Sequence, residues 1–577
     1  MNSARMIIKY WAKSKKDFIW QLILSVISTG CYVVVPIFIG RMVGALSNIP
    51  NLFFNFAMVL VFAGIVYFAN RAARLRGAEV SSRAIYYLRM DISNAIYRQS
   101  FSYFDKTETG QLISRATSDI EETQQIFGFG LVLGLQSLLQ MVGIFIGFIS
   151  FSIELSFLLI IAFSVSLSLS YYIAKKLKPI FLETRVSFGE LTNTIRENIV
   201  GAEVVRIFST QDKERLKFQK NNDRFYKASL RSVKFSSLYM PAIYLIIGSL
   251  TIIVFFLGGI WVIEGRIGID TIVTLSSYIA SLGFPLMMLG QIMLVYIQAD
   301  AALNRVNEVI ESAPEIVDLP DAVHIDTIEG EIEFVNVSFG YISDNKILKD
   351  ISFRIPAGKT MAILGTTGSG KSTIINLIPR FYEVNEGKIK IDGRDIKQYQ
   401  IKDLRKNIGI VSQDTYLFNK TIAENIAYGK ENADKKEIID AAKVANLHEF
   451  IKNLPDGYDS IVGERGARLS GGQKQRLSIA RALITKPKIL IFDDSTSSVD
   501  VETEFKIQEA LTKIMRNTTT IIITQRLSTI RNADLIMILD RGRVVGLGNH
   551  EDLISTNVLY KQIYETLFQK QKSKMQT

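Results

Sequence analysis

Residues 365–372 read GTTGSGKS, the pattern G-x-x-x-x-G-K-[ST], between the apolar run 361–364 and a stretch of helical pattern. Gly365, Gly368 and Gly370 let the backbone N–H groups of the loop cradle phosphates, with Thr366, Thr367, Ser369 and Thr373 part of the same turn. Lys371 reaches the β- and γ-phosphates, and the Ser372 hydroxyl is a ligand for Mg²⁺. The following helix points its positive end at the same anion. Farther on, the apolar run 489–492 ends in Asp493, which a buried strand would carry to that metal, and a second acid, Asp494, follows directly. Gln413 also follows an apolar strand, in GIVSQDTYLF. The stretch Leu469-Ser470-Gly471-Gly472-Gln473 puts a serine and two glycines at a helix start, a second anion cradle about twenty residues before the Asp493 strand. These are the parts of a site for nucleotide phosphates and Mg²⁺.

Such a site needs an α/β domain, and that domain is the smaller part of the chain. The 577 residues are too many for one compact core. The hydrophobic fraction is 48% and the excess lies in residues 1–310, whereas 330–577 reads as an ordinary water-facing domain. Six apolar runs near 19–42, 52–70, 127–151, 155–174, 237–263 and 271–298 approach the ~20 residues that cross a bilayer. Residues 71–125 carry eight Lys/Arg and 175–236 carry fourteen, while the links 43–51, 152–154 and 264–270 hold only Arg266. The positive-inside rule therefore places both termini and both long connections in the cytoplasm of a cell-membrane protein. The net charge of +11 fits that placement better than a nucleic-acid partner.

The basic N-terminus lacks a small-residue cleavage site and reads as an elbow before a retained helix. Pro36, Pro241 and Pro285 should bend their helices. Cys31 alone excludes an intramolecular disulfide framework, and His324, His448 and His550 have no metal-ligand spacing. Tyr239, Met240, Tyr244, Phe255, Phe256, Met287, Met288, Met293 and Tyr296 could line an apolar cavity or simply face lipid and neighbouring helices. Pro314 and Pro320 mark a link at 311–329.

Taken together, the chain resembles a half-transporter of the ATP-binding cassette exporter family over nearly its whole length. The resemblance implies a membrane α-helical bundle of six transmembrane helices (1–310), a linker (311–329) and an α/β P-loop nucleotide-binding domain (330–577). That domain should carry an antiparallel β subdomain and a helical subdomain. It also implies that Tyr341 stacks on adenine and that Gln413 reaches Mg²⁺ and the attacking water. Ser470, Gly471 and Gly472 would bind the γ-phosphate held by an opposite cassette, and Asp500 would belong to a loop that talks across the dimer. Stretches 104–120 and 201–218 resemble helices that press on cassettes.

Two positions depart from the family pattern. The family expects Glu after the metal-binding aspartate, where this chain has Asp494, one methylene, roughly 1.5 Å, shorter. It expects His in the loop after the next strand, where this chain has Gln525, an amide that cannot shuttle a proton. The signature LSGGQ is intact. The expectation is a heterodimer with a second half-transporter carrying Glu and His, exporting or flipping hydrophobic or amphipathic compounds such as drugs or lipids. A homodimer with two slow sites and an ATP-gated channel or sensor are the alternatives. The six spans argue against a soluble cassette ATPase acting on nucleic acid, and the fused arrangement argues against an importer.

Overall fold

The structure, a computed structural model, describes residues 3–342, 345–493 and 518–576. The chain folds as two compact units. One comprises residues 1–97 and 109–312, the other 98–108 and 313–577.

The first unit is helical. Among the described residues, six helical stretches are long and apolar enough to cross a membrane: Lys15–Gly44, Ile49–Arg98, Thr109–Phe151, Ile153–Val200, Gln211–Ile263 and Ile269–Met288. Several far exceed a bilayer: Ile49–Arg98 has 50 residues and Ile153–Val200 has 48. Their polar ends reach the short helices Phe101–Lys106 and Ala202–Ile207 at the two turning points. The elbow helix Ser3–Ala12 is pinned to Ile49–Arg98 where the Tyr10 hydroxyl donates to Asp91 Oδ2 at 2.8 Å, with Lys9 and Lys13 beside the same carboxylate.

Two helix ends lie just ahead of prolines. A proline lacks its own N–H and crowds the carbonyl four residues earlier. Helix Gln211–Ser236 stops just before Ser237, four residues ahead of Pro241, and the next helix is Tyr239–Ile263. Helix Ile269–Ser281 stops four residues before Pro285, and Gly283–Glu311 continues after one residue. The sixth apolar run is thus two helices meeting at Leu282, not one. Pro36 stays inside its helix.

The core between helices holds Ile144, Phe148, Leu155, Val254 and Leu275, closed by Tyr278, whose hydroxyl donates to the Val33 carbonyl at 3.0 Å. Gly147 is required there, because a Cβ would lie 2.7 Å from that hydroxyl. Of the residues considered for a cavity, Tyr244, Phe255, Phe256 and Tyr296 are exposed on the single chain and Met288 is buried. The side chains of Tyr239, Met240 and Met293 are outside the described set.

Among the described residues, the second unit has two sheets. Strands β1 (Ile332–Phe339), β2 (Leu348–Ile355), β4 (Glu386–Ile391) and β5 (Arg394–Asp395) form an antiparallel sheet in the order β2-β1-β4-β5. Strands β3 (Thr360–Gly365), β6 (Ile408–Val411), β7 (Ile489–Asp493), β8 (Thr519–Ile523), β9 (Leu535–Asp540) and β10 (Arg543–Gly548) form the other, in the order β10-β9-β3-β8-β7-β6. Only β10 is antiparallel. Strands β3, β7 and β8 are buried along nearly their whole length, as near-continuous Ile/Leu/Val runs in a two-sided parallel sheet should be. A helical subdomain centred on helix Gly471–Leu483 packs Leu417, Ile426, Leu447, Ile451 and Leu477 into one core with Val411, Leu490, Phe492 and Ile522 of the parallel sheet.

Candidate nucleotide-binding site

Open parallel sheets place their sites beyond the carboxyl ends of the strands. Here β3 delivers the loop 365–370, β7 delivers Asp493, and β8, between them, leads into Thr524 and Gln525. These residues, with Lys371, Ser372, Thr373 and Gln413, line a cleft of about 700 Å³. Sequence positions more than a hundred apart thus converge because three strand ends are neighbours.

The loop's shape depends on its glycines. Gly365 has φ +154° and a Cβ there would sit 2.3 Å from the Leu539 carbonyl oxygen. Gly370, at φ +104°, would put a Cβ 2.7 Å from Leu348 Cδ2. Such backbone is open to glycine and closed to most other residues. Helix Lys371–Leu377 begins immediately after it. The Lys371 ammonium donates to the Gly365 carbonyl at 3.0 Å and the Thr366 carbonyl at 2.8 Å, so it is already held over the cradle. Burial pushes its pKa below the usual lysine range, against the pull of the Asp493 carboxylate. The Ser372 hydroxyl donates to Asp493 Oδ2 at 3.2 Å. A hydroxyl and a carboxylate meeting beside a phosphate cradle fit a Mg²⁺ that takes its other ligands from phosphates and water.

Tyr341 lies at the rim. It is 40% exposed, its ring meets Phe339 and Tyr382 edge-on at 5.0 Å each, and its hydroxyl reaches Thr373 Oγ1 at 3.4 Å. Leu469, Ser470, Gly471, Gly472 and Gln473 sit elsewhere, at the start of helix Gly471–Leu483, and none lines the cleft among the described residues. Ser470 caps that helix in a reciprocal box: Gln473 N donates to Ser470 Oγ at 3.4 Å and Ser470 N donates to Gln473 Oε1 at 2.9 Å. Gly471 has open space where a Cβ would be. Asp494 and Asp500 lie outside the described residues.

Sequence reasoning missed part of the cleft wall. Leu559, Gln562, Ile563, Thr566 and Leu567, from helix Val558–Gln576, face the same space. Their recurrence at three- and four-residue spacing is a helical stripe that could have flagged them. It also missed Tyr382, which carries no motif.

Residues 348–497 match the family described as ABC transporter, and residues 18–286 match the ABC transporter transmembrane region. An ATP-dependent lipid A-core flippase of Syntrophus aciditrophicus is 38% identical, over 85% of this chain and 82% of that protein. A putative multidrug export ATP-binding/permease protein of Bacillus subtilis, YgaD, is 36% identical over 84% of each. Among solved structures, a bacterial Atm1-family ABC exporter with ATP bound superposes with a TM-score of 0.82 at 28% identity, over 96% of this chain and 98% of that one.

Proposed function

Since this chain belongs to the ATP-binding cassette transporter family, as an exporter-type half-transporter with six membrane helices ahead of one ATP-binding domain, we propose a heterodimeric drug or lipid exporter whose second half is a different chain. It would move hydrophobic or amphipathic compounds across the cytoplasmic membrane, with both termini and the cassette in the cytoplasm. The observation that carries the unequal pairing is the cleft itself. Lys371, Ser372, Gln413 and Asp493 line it together with Gln525, an amide where proton transfer would call for an imidazole. With Asp494 next in sequence to Asp493, the site keeps its binding groups and has altered groups at both positions that handle the attacking water.

Lys371 and the loop N–H groups hold the phosphates, Tyr341 takes the base, and Ser372, Gln413 and Asp493 would hold Mg²⁺, which neutralises phosphate charge when bound. Hydrolysis is attack of water oxygen on the γ-phosphorus with cleavage of the bond to the β-γ bridging oxygen. A carboxylate set back by roughly 1.5 Å loses at least on the order of 10²-fold in such a step, since about 1 Å of misplacement already costs that. The signature 469–473, away from its own cleft, is free to complete the partner's site. ATP favouring the closed pair of cassettes would shift the membrane helices from inward- to outward-facing, and hydrolysis at the partner's competent site would reset them.

The purified chain alone should bind ATP with Mg²⁺ yet turn it over slowly. Asp494→Glu with Gln525→His should raise turnover by on the order of 10²-fold. Brisk hydrolysis by the unaltered chain, abolished by Lys371→Ala, would sink the heterodimer and favour two equivalent sites.

A further inference from the structure

We propose that Tyr382 is a positioning residue that links occupancy of the Tyr341 platform to helix Phe101–Lys106, which belongs to the same folded unit as the nucleotide cleft. The inference rests on the reading of Tyr341 as the surface on which the base stacks.

Tyr341 has little freedom on three sides. Phe339 and Tyr382 meet its ring edge-on at 83° and 84°, and its hydroxyl leans on Thr373 of the phosphate-binding helix. A planar base laid on the open face must set the angle of that ring. The ring can adjust only by moving what touches it, since interiors are packed and edge-to-face pairs prefer defined angles. Tyr382 is one of those two ring neighbours, and its far end points elsewhere. Its hydroxyl donates to Asp105 Oδ2 at 2.7 Å. A hydrogen bond to a carboxylate is roughly twice as strong as a neutral one. Burial and the Asp105 carboxylate both push the Tyr382 phenol pKa up, so it stays a donor at any physiological pH.

Phe101 also meets the Tyr382 ring, tilted at 6.2 Å, and the other attachments of helix Phe101–Lys106 do not involve the platform. Phe101 stacks on Phe381 at 4.1 Å, and Ser102 and Lys106 both hold Glu315, the lysine at 3.2 Å. Arg405 covers the Phe381 ring at 5.2 Å. Those contacts fix where the helix sits. Among the described residues, the path from Thr373 through Tyr341 and Tyr382 to Asp105 joins the phosphate-binding helix to this short helix by side chains alone. Coupling is reciprocal: if the base biases the helix, the helix biases affinity for the base by the same factor.

The test uses the full chain with Cys31→Ser and a spin label on Phe104→Cys, an exposed position of the same helix. ATP and inorganic tripolyphosphate are the probes, since the second fills the phosphate cradle without a base. ATP should change the label's spectrum and tripolyphosphate should change it far less. Tyr382→Phe keeps the ring and loses the hydroxyl. It should cut the ATP-induced change about threefold while ATP affinity moves by less than that. Asp105→Asn should act in the same direction.

An unchanged ATP response in both variants overturns the proposal. So does an equal loss of both responses accompanied by a lower Tm, which is what a mere brace would give. Tyr341→Ala separates the two levels. If it weakens ATP about tenfold while Tyr382→Phe does nothing, the link fails and the platform stands. If it leaves ATP affinity unchanged, the platform reading fails with it.

Discussion

Lys371 is a cation held by two carbonyls in a partly dehydrated loop, and its proton is easier to remove than that of an ordinary lysine. Phosphates favour the charged form, so the bound-state pKa lies above the free-site value. ATP association should therefore be flat at low pH. It should fall toward tenfold per pH unit between the two pKa values. Lys371→Arg, which does not titrate in this range, should bind more weakly but with a flat profile. Equilibrium titrations between about pH 7 and pH 10 check this, and a parent profile as flat as that of arginine would contradict it. Residue chemistry of this kind was legible from spacing alone, because G-x-x-x-x-G-K-S fixes backbone and side chain together. Tyr382 was not legible, since partners such as Tyr341 and Asp105 lie 41 and 277 residues away in the chain.

Helices carry a second layer of information. Ser470 is an N-cap before it is anything else, and its loss should cost about 1 kcal/mol of stability. If it also meets a phosphate across the dimer, Ser470→Ala should lower turnover of the assembled transporter by on the order of 10²-fold, far beyond that stability loss. Ser470→Asp keeps a good cap and adds a negative charge, so it should fold with a normal Tm and be inactive. An active Ser470→Asp dimer would mean that the serine is structural only. At this scale proline is a partial guide, since Pro36 and Pro179 lie inside unbroken helices, and tertiary contact leaves no local pattern. The breaks ahead of Pro241 and Pro285 follow from the missing N–H of proline, although the sixth run was read as unbroken. The stretch 104–120 does hold a short helix, Thr109–Ala116, but the helix before it, Phe101–Lys106, starts ahead of that stretch, where Phe101 stacks on Phe381 in a contact no local pattern announces.

For the whole molecule, the charge asymmetry makes a sharp claim. Single cysteines at 43–51 or 264–270, in a Cys31→Ser background, should react with an impermeant maleimide from outside intact cells. Cysteines near 110 or 209 should react only after permeabilisation. The reverse pattern would invert the orientation and place the cassette outside, away from cellular ATP. The architecture of six helices followed by a P-loop domain was legible because apolar run length and the phosphate-loop motif are each tied to one physical requirement. The assignment of residues 98–108 to the second unit was not, since it is a choice made by packing.

The helix Ile49–Arg98 has a mechanical consequence. Its 50 residues amount to about 75 Å of rod, of which roughly 40 Å lies beyond the apolar run that ends near residue 70. The chain passes into the second unit at its last residue. If the rod pivots at the end of its apolar part, a sideways step of about 4 Å at Arg98 becomes a turn of only about 5°. Such an arm would exchange a modest force over a long throw at one end for high torque through a small angle at the other. Prying apart packed helices is a short-travel, high-resistance task, and a long unbroken arm is matched to that load.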